Sequence, residues 1–176
     1  MKPKIQNLLE QLESQRLDLI QELSKLDSTV LNKRPKPETW TVIQNLLHLV
    51  MAEASSVAYM RKKLSFTSQL PKAGFKSRFR RMLLSLAFAL PFKFKAPKGL
   101  DILPEFTDFN ELSSKWALQR LDLQRFIETL PENVIDGEIW RHQVAGKMNI
   151  AQMLDFFYDH VKRHQEQIKR ALHDIG

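Results

Sequence analysis

The chain has 176 residues, 43% of them apolar and 27% charged, which suits one globular domain with a buried core and excludes wholesale disorder. It has no cysteine, so disulfides, thiolate zinc sites, iron–sulfur clusters and a cysteine nucleophile are excluded, and a metal must be held by nitrogen or oxygen. Lys and Arg number 27 against 20 Asp and Glu, a net charge of +7. That charge is concentrated: the span from Ala54 to Leu100 holds eleven bases and no acid, and the remainder is net acidic.

The chain starts Met1-Lys2-Pro3-Lys4 and turns amphipathic and charged at once, with no apolar signal core. A cytoplasmic location is the expectation. The first helix is read over Ile5 to Leu26, with Ile5, Leu8, Leu9, Leu12, Leu19, Ile20, Leu23 and Leu26 on one stripe at three- and four-residue steps. Pro35 and Pro37 break the chain before a second helix, about Thr41 to Leu64, whose Thr41-Val42-Ile43-Gln44 start has the form of a capping box.

The connection from Ser65 to Asp108 is too long for a tight turn. Pro71 and Gly74 punctuate its start, a short helix is expected over Phe75 to Leu90 before Pro91, and Pro97, Gly99 and Pro104 mark an irregular return. A third helix follows, about Phe109 to Leu130, with Leu112, Trp116, Leu123, Phe126, Ile127 and Leu130 inward. The fourth opens at Asn149-Ile150-Ala151-Gln152, a looser echo of the earlier cap. It runs to about His173, with Ile150, Met153, Leu154, Phe157, Val161, Ile168 and Leu172 on its stripe. No stretch alternates as a strand. Four such helices bury their faces best together, so the expected fold is an all-α four-helix bundle spanning 1–176 as one domain. The 65–108 crossover would let the third helix run parallel to the second.

Three of the five histidines carry the sharpest chemical signal. His160 and His164 are one helical turn apart, about 6 Å along the axis, at the edge of the buried stripe. Two imidazoles so placed can grip one metal ion, and His48 on the second helix is the candidate third ligand. On spacing alone, a His-x-x-x-His pair is more often two hydrogen-bonded or solvated side chains, and a lone His48 more often a partly buried polar residue. His142 and His173 have no such partner and are read as structural or solvent-facing.

Trp40-Thr41-Val42-Ile43-Gln44-Asn45-Leu46-Leu47-His48 resembles the Trp-Ser/Thr…His signature of the DinB-like (DinB/YfiT) proteins. Gly146-Lys147-Met148-Asn149-Ile150, followed by His160-Val161-Lys162-Arg163-His164, resembles that family's second motif. The resemblance covers the whole chain, including the long crossover, with one departure: the second motif often begins His-Pro, where this chain has His142-Gln143. It implies an up-down-down-up bundle, often dimeric, and a metal held by His48, His160 and His164, with nickel or zinc foremost and iron or manganese as further options.

Three neutral imidazoles leave a divalent ion its charge and open positions, the arrangement of catalytic rather than structural sites. By resemblance, the leading expectation is a metal-dependent transferase delivering a low-molecular-weight thiol cosubstrate to an electrophilic small molecule, with metal-assisted hydrolysis as the near variant. Bases of the crossover could hold the carboxylates of such thiols. Glu53 could orient a ligand from behind, although a solvated surface carboxylate is the plainer reading.

The second function class is a non-catalytic bundle that binds a partner, an anionic lipid or a nucleic acid through the basic, apolar 72–98 segment. There Lys72, Lys76, Arg78, Arg80 and Arg81 precede the run Met82–Leu90, and Lys93, Lys95 and Lys98 follow. No nucleic-acid motif accompanies these bases. The preferred expectation is that the apolar run covers the open end of the bundle or a homodimer interface, ahead of peripheral membrane contact. A site plugged by Met51, Phe157 or the Phe88 region would favour this second class.

Overall fold

A computed structural model of the chain describes residues 1–67, 69–90 and 103–176. Its elements are α1 (Pro3–Leu23), α2 (Ser28–Asn32), α3 (Val42–Leu64), α4 (Phe75–Ala89), α5 (Phe109–Glu128), α6 (Glu132–Asp136), β1 (Trp140–His142), β2 (Gly146–Met148) and α7 (Ile150–Ile175). The four periodic stretches are the four long helices α1, α3, α5 and α7. Both caps form as their sequences dictate. Thr41 Oγ1 accepts from Gln44 N and Gln44 Oε1 from Thr41 N, each at 3.1 Å. Asn149 and Gln152 make the same reciprocal pair at 3.0 Å.

Contacts between the helices fix their directions. Gln119 and Arg120 of α5 reach Val50 and Glu53 of α3, and Asp122 meets Arg61, so α3 and α5 run parallel. Lys2 at the start of α1 pairs with Asp136 just ahead of α7, and Gln15 reaches the Tyr158 carbonyl and Gln165, so α1 and α7 are parallel too. Asn45 near the start of α3 bonds His164 late in α7, whereas Lys63 at its end bonds Glu138 before α7, which makes these two antiparallel. The bundle is therefore up-down-down-up, with the parallel α3–α5 step made by the long crossover.

Two apolar clusters fill it. One gathers Leu12, Met60, Leu123, Ile127, Met153 and Phe157, and the other gathers Leu23, Ile43, Leu46, Trp116, Val161 and Ile168. Truncating any one of the Leu, Ile, Met, Phe or Trp side chains among them to Ala is expected to cost about 2–5 kcal/mol. The first ten residues from Thr41 are buried on every side because α2, α5 and α7 all pack on α3.

Helix α4 lies outside this frame. Its inner face packs on α7 and β2, with Ser77 and Leu84 buried and Ser77 Oγ accepting from Gln152 Nε2 at 3.2 Å. The crossover is pinned ahead of it, where Ala73 N donates to the Asp136 carbonyl and Glu138 N to that of Pro71. Within the single chain the apolar run is covered on its inner face, whereas Met82, Leu83 and Leu86, with Phe75 and Phe79 ahead of them, are exposed. The expectations placed on Pro91, Pro97, Gly99 and Lys93 to Lys98 fall outside the described residues. Among the described residues no helix is long and apolar enough to cross a membrane.

The β1–β2 hairpin corrects the strand-free expectation. It pairs Trp140 with Met148 and His142 with Gly146, the latter turning at φ +78°, where a glycine is favoured. With three residues a side, it is too short to carry an alternation signal.

Candidate metal centre

The antiparallel crossing of α3 and α7 sets two turns of α3 against the middle of α7. His48, His160 and His164 converge there, and their nitrogens include one from each ring that all lie within 4.8 Å of one another. All three are buried, at 5%, 7% and 5% exposure. His48 is enclosed because the whole first half of α3 is buried. Ring centroids stand 4.9 Å apart for His48–His164, 5.2 Å for His48–His160 and 4.7 Å for His160–His164.

The hydrogen bonds decide which atoms face the centre. Asn45 Nδ2 donates to the Thr41 carbonyl at 2.8 Å, which turns Asn45 Oδ1 toward α7, where it accepts from His164 Nδ1–H at 2.9 Å. With its proton on Nδ1, neutral His164 presents a bare Nε2, and His160 Nε2 stands 3.1 Å from it. His160 Nδ1 is buried with no hydrogen-bond partner. Two Nε2 atoms bonded at about 2.0–2.1 Å to one tetrahedral ion would lie about 3.3 Å apart. The observed spacing and the neutral nitrogen donor set fit a divalent cation.

Protonation points the same way. Burial pushes the pKa of His160 and His164 well below the ordinary histidine value, and the neighbouring imidazoles push it further. Both rings are therefore held in the neutral, ligating form. Aromatic rings fix them in place: Trp40 stacks on His164 with centroids 6.1 Å apart and planes 13° apart, and Phe156 stacks on His160 at 5.2 Å and 21°.

One side of this cluster opens into a cleft of about 350 Å³. Its walls are α3 (Ser55, Ser56, Tyr59), the end of α4 (Phe88), the hairpin (Trp140 to Val144) and α7 (Phe156, Arg163, Gln167). Met51 packs into the second apolar cluster and Phe157 into the first, and Phe88 forms a wall, so none of them fills the cleft. Among the described residues its lining includes two guanidinium groups, Arg141 and Arg163, and no carboxylate. Arg163 lies over the Phe88 ring at 5.3 Å and donates to the Phe88 and Leu90 carbonyls at 3.2 and 3.4 Å, fastening the end of α4 to α7.

Two sequence expectations are corrected here. His142 is not simply solvent-facing. The hairpin carries it to the cleft wall, where its Nδ1 accepts from the backbone N–H groups of Val144 and Ala145 at 3.2 and 3.1 Å, leaving Nε2 to bear the proton of the neutral ring. Burial, then the charge of Arg81, lowers its pKa to about 4. Its Gln143 successor, the departure from the second motif, lines the same cleft. Glu53 is neither a surface carboxylate nor a support for a ligand. It is 1% exposed and accepts from Arg120 at 2.7 Å through both oxygens and from Trp116 Nε1 at 3.1 Å. The apolar stripe of α5, which supplies Trp116, encloses the pair. His173 is solvent-exposed, as expected.

Comparison with known proteins identifies the family and the fold. The family model of the DinB superfamily matches residues 5–168. The uncharacterized protein YuaE of Bacillus subtilis (strain 168) is 25% identical over 160 residues, which span 91% of this chain and 94% of that protein. Among solved structures the chain is similar to YfiT from Bacillus subtilis, described as a probable metal-dependent hydrolase with an unusual four-helix bundle topology. The TM-score is 0.60 at 17% identity, covering 97% of this chain and 87% of that one. At that identity the likeness shows the bundle fold.

Proposed function

Because the chain belongs to the DinB superfamily, we propose that it is a metal-dependent enzyme in which His48, His160 and His164 hold one divalent ion beside a small-molecule cleft. The observation that carries this reading is the convergence of three imidazole nitrogens within 4.8 Å at the floor of an open cleft. When bound, such an ion supplies Lewis acidity, polarising an oxygen and acidifying a water or thiol that reaches it. Three nitrogen donors suit zinc or nickel, and iron or manganese less closely.

The chain's own residues set what reaches that point. Asn45 orients His164, Trp40 and Phe156 shield the rings from bulk water, and Arg141 and Arg163 bring positive charge to the opening. His142 offers a neutral N–H donor from the hairpin. A cleft with two guanidiniums and no carboxylate among its described lining residues suits an anionic molecule such as a carboxylate-bearing low-molecular-weight thiol. Transfer of such a thiol to an electrophile is the preferred reaction. Hydrolysis at the same cluster is the second reading, favoured by the description of YfiT.

The test begins with metal content. Tag-free protein grown with ample metal is compared by elemental analysis with a His160→Ala, His164→Ala variant; stoichiometric metal lost in the variant supports the site, and equal, near-zero content in both refutes it. Thiol consumption against a panel of electrophiles, and ester or amide cleavage without thiol, then separate the two reactions in the presence of each metal.

A further inference from the structure

The outer face of α4 has no counterpart in the chemistry above. Phe75, Phe79, Met82, Leu83 and Leu86 are between 46% and 78% exposed. On a wheel of 3.6 residues per turn they fall within an arc of about 100°, opposite the buried Ser77 and Leu84. Lys76 and Arg78 stand at the two edges of that arc, both exposed, and Lys72 precedes the helix. The bases of the inner side are already neutralised, Arg81 by Asp159 at 2.7 Å and Arg80 by Glu138 at 3.5 Å. The outer three have no carboxylate partner among the described residues.

Beyond the proposed enzymatic reading, and independent of it, we propose that α4 is a membrane-surface helix that lies flat on an anionic phospholipid bilayer. An apolar stripe with bases along both margins lets Phe, Leu and Met enter the acyl boundary while Lys and Arg reach the headgroup phosphates. The helix is about 22 Å long, ample for lying in the interface and too short to span the bilayer. Charge selects among the possible occupants. From Ala54 to Leu100 the sequence holds no acid, so a second copy seated on the same face would set basic margins against basic margins. A nucleic acid would meet the bases but leave the Met and Leu side chains without partners, since they offer no face for base stacking. An anionic lipid surface satisfies both the stripe and its margins.

The test is flotation of the full chain with vesicles of phosphatidylcholine alone or with about one third phosphatidylglycerol. The expected result is retention on the anionic vesicles that weakens with added salt, and little on the zwitterionic ones. Phe79→Ser with Leu86→Ser, and separately Lys76→Glu with Arg78→Glu, each lower the partition coefficient about tenfold or more. All four positions are solvent-facing, and circular dichroism confirms that each variant is folded. No retention of the wild type overturns the proposal. So does retention that survives the Phe79→Ser, Leu86→Ser change and is competed away by duplex DNA, which would mark a phosphate-binding surface. A monomer–dimer equilibrium in sedimentation that this same apolar change abolishes, with vesicle binding unaltered, would assign the face to a second copy instead.

Discussion

Asn45 aims His164. The amide is held by its own helix through the Thr41 carbonyl at 2.8 Å, and its oxygen takes the His164 Nδ1 proton at 2.9 Å across the α3–α7 interface. The first turn of α3, itself fixed by the Thr41–Gln44 box, thereby sets the tautomer of a ring on another helix. Asn45→Ala leaves that buried N–H unpaired, which costs about 1–3 kcal/mol of stability. It is also expected to weaken metal binding about 10- to 100-fold. Competition against a chromophoric chelator measures the second effect. Stability lost with metal affinity unchanged would confine Asn45 to a role in folding.

Glu53 and Arg120 form a two-pronged ion pair inside the bundle, with Trp116 as a third donor to the carboxylate. Removing one member strands the other charge in a dry interior. Glu53→Ala is expected to lower the unfolding free energy by about 3–5 kcal/mol, whereas Glu53→Leu with Arg120→Met recovers most of it. Metal stoichiometry should stay at the wild-type level in the double variant. Urea unfolding followed by tryptophan fluorescence reads both, and a single variant as stable as wild type would remove the pair from the core energetics.

Much of this was legible in the sequence because α1, α3, α5 and α7 are long, amphipathic and explicitly capped. The residues Thr41, Gln44, Asn149 and Gln152 announce where two of them start. The three histidines were legible as a pair plus one, joined by motif resemblance rather than by spacing. What escaped is what depends on tertiary placement. His142 reaches the cleft on a hairpin of three-residue strands, below the length at which alternation can be read. Glu53 looked like a surface carboxylate because no local pattern reveals that Arg120, 67 positions away, will meet it. The same holds for α4: its apolar run was visible, but only packing shows that one face is covered and the other is not.

Gly137 closes the seam between the crossover and the segment leading into the hairpin. A Cβ there would stand 2.6 Å from Leu70 Cβ and 2.9 Å from the Asn133 carbonyl oxygen. The adjoining backbone bonds, Glu138 N to the Pro71 carbonyl at 2.8 Å and Ala73 N to that of Asp136 at 3.0 Å, leave little room to retreat. Gly137→Ala is therefore expected to destabilise by about 1–3 kcal/mol. It should also speed proteolysis between Leu70 and Ala73, where the seam would part. A variant with wild-type melting temperature and wild-type cleavage would show that Leu70 simply swings aside.

The buried histidines give stability a defined pH dependence. His142 carries a folded-state pKa of about 4, depressed from 6.5 by burial and then by Arg81. His160 and His164 are lowered as well, by burial first and then by the other imidazoles and Arg163. In the unfolded chain these rings take up protons near pH 6.5, while the folded state resists, so their contribution is complete above 6.5 and is lost as the pH falls. The share of His142 disappears between 6.5 and about 4 and amounts to on the order of 3 kcal/mol at the acid end. Urea unfolding free energies measured across that range, with a chelator present so that metal release adds nothing, should fall steeply for the wild type. They should fall less steeply for His142→Gln, whose side chain takes no proton. Added metal should make the wild-type decline steeper, because the proton then competes with the ion for the same nitrogens. Parallel curves for the two proteins without metal would show that His142 takes its proton equally well folded and unfolded, which its position behind Arg81 and the Val144 and Ala145 amides argues against.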